Sequence, residues 1–462
     1  MAERMTSVSS PHVAVIPFMA KGHTIPILHL VRLLVSRGVA VTIFTTHGNS
    51  PYIRQSLTGT EASVIDLSFP QNVHPELQQG IESTDKFPSM SLFIPFVTAT
   101  KLMQPEFDRV LESLYPRVSC IISDGFFPWT LQSATKLGIP RLVFYGSVSH
   151  GPNSDDEPFA LPDFPWIKLT RNDFESAFTE PDIDGPHFQF MMEVFAATRN
   201  SNGIIVNSFC ELEPKFLEYC NREKTPKAWC VGPLCLTEPP KAAVEPFQKP
   251  ASTLEWLDEM LAKGRSVLYV AFGSQADIST QQLQEIANGL EKSRTNFLWV
   301  VRSSMCDEIL DKEFQERMRC TGLVVTEWVD QVEILNHPSV NGFMSHCGWN
   351  SVMESICASV PILAWPMMAE QHLNARMVVE ELGIGIRVLA ENGSVRGFVT
   401  SECIEKQVRE LMEGENAKEM KKKVKQLSEE ARRAMEEGGS SWFTLEQLIN
   451  EFICGKEITV PT

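Results

Sequence analysis

Short apolar runs alternate with amphipathic helical stretches along most of this chain, and that alternation restricts the fold more than any other feature. Residues 13–17 read as a buried strand. Residues 26–37 place Ile27, Leu28, Leu30, Val31, Leu33 and Leu34 on one helix face before a stop at Gly38. Residues 39–45 are β-branched and aromatic, again a strand. Strands over 120–123 and 141–145 flank a helix over 128–137 that Gly138 ends. Strands joined through helices pair in parallel, and a parallel sheet has to be covered on both faces. The pattern lapses over 236–252, LTEPPKAAVEPFQKPAS, where proline and alanine leave no periodic face. It resumes with strands over 266–272, 297–301, 322–326, 342–346 and 361–365 and a helix over 281–292. A charged helical segment over 401–437 and a final helix over 441–453 follow. With 462 residues the chain is too long for one ordinary domain. The expected division is an N-terminal domain 1–235, a linker 236–252, a C-terminal domain 253–437, and a helix within 438–462 that returns to the N-terminal domain. Each domain is expected to be a doubly wound α/β sheet, with ligands beyond the carboxyl ends of its strands.

Composition removes several classes of partner. The formal charge is −17, which argues against nucleic acid and anionic membrane surfaces, since both need a basic patch. The basic cluster 418–425 is flanked by glutamates and reads as a solvated helix face. No run of about 18 apolar residues exists, so no membrane span is expected. The 11 cysteines are odd in number and form no CxxC pair. That usage fits free thiols and a cytoplasmic location. A monomer is expected.

The stretch 328–371, WVDQVEILNHPSVNGFMSHCGWNSVMESICASVPILAWPMMAEQ, carries the densest chemistry. A buried strand runs into His346-Cys347-Gly348-Trp349-Asn350-Ser351, and a helix-compatible stretch follows. A helix start exposes unpaired backbone N–H groups at the positive end of its dipole, which suits an anion. His346, Asn350 and Ser351 add side-chain donors for a diphosphate. The indole of Trp328 can stack on a base, and the Glu354 carboxylate can accept both hydroxyls of a ribose. Glu370 and Gln371 supply an acceptor and an amide suited to a sugar. Cys347, inside the turn, reads as a packing residue. Together these residues describe a nucleotide-sugar pocket.

Over its full length this stretch resembles the signature box of the plant secondary-product glycosyltransferases, the UDP-sugar-dependent family that glycosylates small molecules. The resemblance implies the GT-B fold, an α/β arrangement of two doubly wound Rossmann-like domains facing across a cleft. It implies residue roles as well. Trp328 stacks on uracil while the Val329 backbone reads its edge, and Gln331 and Glu354 hold the ribose. Ser274, His346, Asn350 and Ser351 hold the phosphates. Trp349, Glu370 and Gln371 read the sugar. Glutamine at the last position resembles the glucose-using members, so UDP-glucose is the expected co-substrate. The helix dipole, His346 and Ser274 are expected to take the place of a metal. No cofactor and no metal are expected; Asp182-Ile183-Asp184 matches an Asp-x-Asp string but lies in a Pro/Gly-bounded loop.

On the other half, His23 in Lys21-Gly22-His23-Thr24 follows the first strand and is read as a loop residue. Histidine titrates near neutrality and makes an efficient base, whereas an isolated loop histidine is more often simply exposed. The family places its catalytic base in this Gly-His loop, which favours His23. Asp124 closes the strand over 120–123; it can orient a base or cap the helix after it. The resemblance makes it the partner of His23. Phe18, Phe126, Phe127 and Trp129 form an aromatic wall for a planar phenol or, equally, part of the core. The expected function is transfer of glucose from UDP-glucose to a hydroxyl of a flavonoid or other phenolic acceptor, with inversion. The alternative is a UDP-sugar-binding protein of weak or lost activity, because the acceptor-pocket segment after Ser149, around His150, is short for the family.

Overall fold

The computed structural model describes residues 11–454 apart from 76, 78–79, 146–158, 162–163, 170–172, 174–184, 223–225, 238–250, 274–275, 277, 302–313, 315–316, 319–320, 392–394 and 396. The chain divides into two compact units. One comprises Met1–Val148, Asp184–Ala243 and Arg433–Thr462; the other comprises Ser149–Ile183 and Val244–Arg432.

In chain order the strands are β1 (His12–Ile16), β2 (Ala40–Thr46), β3 (Ser63–Leu67), β4 (Cys120–Asp124) and β5 (Arg141–Tyr145). An antiparallel ribbon of β6 (Phe159–Leu161) and β7 (Phe164–Leu169) follows. Then come β8 (Gly203–Val206), β9 (Lys227–Cys230), β10 (Val267–Ala271), β11 (Asn296–Val300), β12 (Gly322–Val325), β13 (Val340–Ser345), β14 (Ile362–Ala364) and β15 (Gly385–Arg387). The first unit holds the sheet β3-β2-β1-β4-β5-β8-β9 and the second holds β12-β11-β10-β13-β14-β15. All strand pairs in both sheets are parallel.

Why these segments are strands follows from two-sided burial. All five residues of β1, HVAVI, and of β10, VLYVA, are buried. Side chains alternate across a strand, so β10 feeds two cores. Leu268 and Val270 join one cluster with Phe297, Trp299 and Met344. Val267, Tyr269 and Ala271 join another with Leu298 and Phe343. In each sheet the strand order reverses direction beside the first strand, between β1 and β4 and between β10 and β13. That switch point is where doubly wound sheets bind ligands.

Several boundaries differ from the sequence reading. The first helix runs over Lys21–Ser36 and starts at Lys21, not at Pro26. Pro26 stands inside it, in the second turn, where it removes the bond its N–H would make to the Gly22 carbonyl. His23 therefore sits in the first helical turn and not in a loop. The charged stretch 401–437 is two helices, Ser401–Glu413 and Ala417–Met435, because Gly414 turns extended after the first. The closing Ser440–Leu448 helix places Leu445 and Leu448, with Ile449 and Ile453 after it, in the first unit's core beside Val13, Leu34 and Trp229. Part of the expected 1–235 domain groups elsewhere, because the stretch 149–183 belongs to the second unit. Within it, Asp173 forms buried ion pairs to Arg376 and Arg387. The middle of the expected linker and the short segment around His150 lie outside the described residues.

Candidate active site

At the first switch point, His23 and Asp124 meet. Nδ1 of His23 lies 2.8 Å from Oδ2 of Asp124. The carboxylate is buried, and its Oδ1 accepts the Phe126 N–H at 2.9 Å. The imidazole side chain is 37% exposed. It packs against Phe18 and Phe126 with ring centroids at 5.3 and 5.1 Å. A histidine held this way is oriented at one nitrogen and reaches outward through the other. Of the aromatic wall, Phe126 keeps partial exposure, while Phe18, Phe127 and Trp129 are buried. Phe127 lies against Phe18 and Trp129 and supports the wall from behind. Tyr145 was not anticipated. Its ring occupies the space where a Cβ on Gly125 would sit, at 2.6 Å, and its hydroxyl pairs with Thr198. Only glycine lets the turn after Asp124 close against that ring.

In the second unit the donor-side residues gather around β13 and the Trp349–Cys357 helix. Gly348 caps that helix without a side-chain bond, and a helix start of this kind carries N–H groups that have no partner within the helix. Cys347 holds φ +61°, a conformation that non-glycine residues avoid and that persists where the surroundings enforce it. Its N–H donates to Ser345 Oγ at 3.1 Å and its carbonyl accepts from Asn374 Nδ2 at 3.0 Å. Burial pushes its thiol up to about 12, which makes it unreactive at neutral pH. His346 lies between two glycines. A Cβ on Gly273 would stand 2.8 Å from its Nε2, and one on Gly348 would stand 2.6 Å away. Its Nδ1 is buried with no partner among the described residues. Burial lowers its pKa to about 4, so the ring is neutral at pH 7. A neutral imidazole can offer a ligand a hydrogen bond but no charge. Ser274, Asp182 and Asp184 lie outside the described residues.

Gln331 organises the next layer. Asp330 caps the Gln331–Leu335 helix by accepting from the Glu333 N–H. The Gln331 amide donates to Ser351 Oγ at 2.9 Å and to Glu354 Oε2 at 2.6 Å. Tyr269, unforeseen in the sequence, donates to Gln331 Oε1 at 3.3 Å and stacks on Phe343. Trp328 is 58% exposed, so most of its indole is open to solvent. Val329 is half-buried against the core. Trp349 is buried, Asn350 is half-buried, and both stand in the first helical turn. Gln371 Oε1 accepts the Met367 and Met368 N–H groups, each at 3.0 Å, which fixes the orientation of its amide. Glu370 Oε1 receives Asn374 Nδ2 at 3.4 Å.

Two family models match this chain. "Glycosyltransferase, N-terminal domain" covers residues 9–236 and "UDP-glucoronosyl and UDP-glucosyl transferase" covers 247–432. UDP-glycosyltransferase 90A1 of Arabidopsis thaliana is 50% identical over 465 aligned positions, spanning 95% of this chain and 96% of the relative. The chain belongs to the plant family 1 UDP-glycosyltransferases. It is an enzyme that transfers a sugar from a UDP-sugar to an acceptor, on the GT-B fold. UDP-glucose flavonoid 3-O-glucosyltransferase 7 of Fragaria ananassa is 36% identical, with 98% of each chain covered. Glycyrrhiza uralensis UGT73P12, solved with glycyrrhetinic acid 3-O-monoglucuronide, superposes with a TM-score of 0.83 at 30% identity, covering 96% of each chain. Phytolacca americana UGT2, solved with UDP-2fluoro-glucose and pterostilbene, gives 0.78 at 28% identity, covering 96% of this chain and 100% of that one. No described helix of this UDP-glycosyltransferase is long and apolar enough to cross a membrane.

Glu354 gives the donor side a pH dependence. Burial pushes its carboxyl up from 4.5 to about 7, against the downward pull of the Gln331 amide. If Glu354 holds the ribose, the carboxylate accepts both hydroxyls at full strength, whereas the protonated acid accepts more weakly and presents an O–H, so the ionised form should bind UDP more tightly. Affinity should therefore rise with pH, by up to about tenfold between pH 6 and pH 8. The unliganded fold should change in the opposite sense. Between the unfolded and folded pKa values the native state keeps a proton that the unfolded chain releases, so stability falls as pH rises through that window. Calorimetry with UDP across this range checks the first statement. Glu354→Gln should flatten the Glu354 part of the curve, and an unaltered slope would remove Glu354 as its source.

Proposed function

We propose that this enzyme transfers glucose from UDP-glucose to a hydroxyl of a small aromatic acceptor, a flavonoid or other phenol. The His23–Asp124 pair is the single observation that carries this reading. His23 Nε2 takes the proton from the acceptor hydroxyl while Asp124 stabilises the imidazolium that forms. The acceptor oxygen bonds to the anomeric carbon as the bond from that carbon to the UDP oxygen breaks. Direct displacement inverts the configuration there. The N–H groups at the start of the Trp349–Cys357 helix, with Asn350, Ser351, Ser274 and neutral His346, stabilise the departing diphosphate without a metal.

On the donor side, Trp328 stacks on uracil and the Val329 backbone reads its edge. Gln331 and Glu354 hold the ribose; their mutual hydrogen bond supports that role. Because the Trp349 side chain is buried, it meets the sugar through its backbone N–H. Glu370 and Gln371 read the sugar hydroxyls. Half-exposed Phe126 supplies the face for the acceptor ring, backed by buried Phe18 and Phe127. The flavonoid named for the Fragaria relative and the pterostilbene bound by the Phytolacca structure support an aromatic acceptor. The enzyme acts in the cytoplasm as a monomer.

The test is incubation with UDP-glucose and a panel of phenols in the presence of EDTA, read by mass spectrometry. Glucosides should form at an undiminished rate. Loss in EDTA restored by Mn²⁺ would overturn metal independence, and transfer only to non-aromatic alcohols would overturn the acceptor class.

A further inference from the structure

The stretch 149–183 precedes the whole C-terminal sheet in sequence, yet its described residues group with the second unit. Asp173 supplies a physical reason. It is 1% exposed, and its Oδ2 accepts from Arg376 Nη1 at 2.9 Å while Oδ1 lies 3.9 Å from Arg387 Nη1. Arg376 is the last residue of the Gln371–Arg376 helix. Arg387 closes β15, and its Nη2 donates to Nδ1 of His372, the second residue of that helix, at 3.2 Å. One buried carboxylate thus bears twice on one helical stretch, directly through Arg376 and by way of Arg387 at His372 near its start.

This helix depends on such support. Its α-helical residues run straight into the π-helical turn Met377–Glu381, and a helical stretch of about eleven residues is still too short to hold itself in place by its own hydrogen bonds. It is entered through Ala369 at φ +52°, backbone that persists only where neighbours enforce it. Asp173 is also the buried counter-charge to two guanidiniums. The other acid on Arg376, Glu380, is about half exposed. Removing the Asp173 charge leaves Arg376 and Arg387 facing each other away from water, which a buried pair tolerates poorly.

We propose that Asp173 is a positioning residue for donor-sugar recognition. Standing outside the C-terminal sheet's own sequence, it fixes the helix that presents Glu370 and Gln371. The inference rests on the reading of those two residues as the sugar contacts. Donor preference is then set partly by a residue encoded before the linker.

The experiment compares Asp173→Asn, Arg376→Gln and the double variant in the full chain. Calorimetry with UDP and KM for UDP-glucose are read separately. Displacing a positioned group by about 1 Å costs up to about 100-fold, so KM for UDP-glucose should rise about 10- to 100-fold in each single variant. UDP affinity should stay within about twofold, because uracil, ribose and phosphate contacts lie on other elements. The double variant should lose clearly less than the two single effects combined, since both break the shared Asp173–Arg376 pair. Equal loss of UDP and UDP-glucose binding, or variants too unstable to bind UDP, would overturn the proposal by making Asp173 a support of the whole unit. Gln371→Ala is measured alongside. If it leaves UDP-glucose binding intact, the sugar-contact reading fails. If it weakens UDP-glucose while Asp173→Asn does not, this inference alone is overturned.

Discussion

Asp124→Asn is expected to lower turnover on the order of 10³–10⁴-fold while leaving the chain folded. The carboxylate has two duties, and asparagine can keep only one. Its carbonyl oxygen can still accept the Phe126 N–H that Oδ1 accepts now. Its NH2 then faces His23 Nδ1, which must become an acceptor. That choice puts the imidazole proton on Nε2, the nitrogen that has to receive the acceptor's proton. The base is present but carries its proton on the wrong side. Turnover of the purified variant, with its thermal unfolding recorded beside it, reads the two duties apart. Activity within tenfold of the parent enzyme would show that Asp124 does not orient the base.

His23→Ala should reduce turnover by about 10²–10⁴-fold, the usual contribution of a positioned general base. UDP affinity should remain within about twofold, because the side chain belongs to the first unit and the donor contacts to the second. Folding should also be little affected, since the imidazole is 37% exposed and its loss opens no deep cavity. Calorimetry with UDP and a transfer assay on the same preparation separate these statements. A variant that still glucosylates phenols at the parental rate would remove His23 from the chemistry. A variant that also fails to bind UDP would mean that His23 supports structure beyond its own unit.

Both sheets were legible because parallel strands are buried on two faces and leave apolar runs that need no alternation to be seen. Strands of three to five residues with mixed character, such as β3 and β15, left no such trace. The sequence points to a helix start at Pro26 because proline favours helix starts, and the turn from Lys21 onward carries no capping signal. At the site, residue identities were visible as a motif, but their physical state was not. Glycines after β10 and after β13 both close on the His346 ring, and burial lowers its pKa, facts of packing that no spacing along the chain announces. Tyr269 reads as one more core residue in a strand, and only the fold brings its hydroxyl to Gln331. Asp173 lies 203 residues from Arg376, beyond the reach of any local pattern.

The chain leaves the first unit at 149, rejoins it at 184, leaves again at 244 and ends within it from Arg433 onward. This threading bears on engineering by recombination. A hybrid made by joining one relative's first half to another's second half at the linker would not exchange whole units. It would carry a foreign terminal helix against its own β1 core, where Leu445 and Leu448 pack. It would also set a foreign partner opposite Asp173. Crossovers that respect the fold need the tail to travel with the N-terminal half and the 149–183 insert to travel with the donor half.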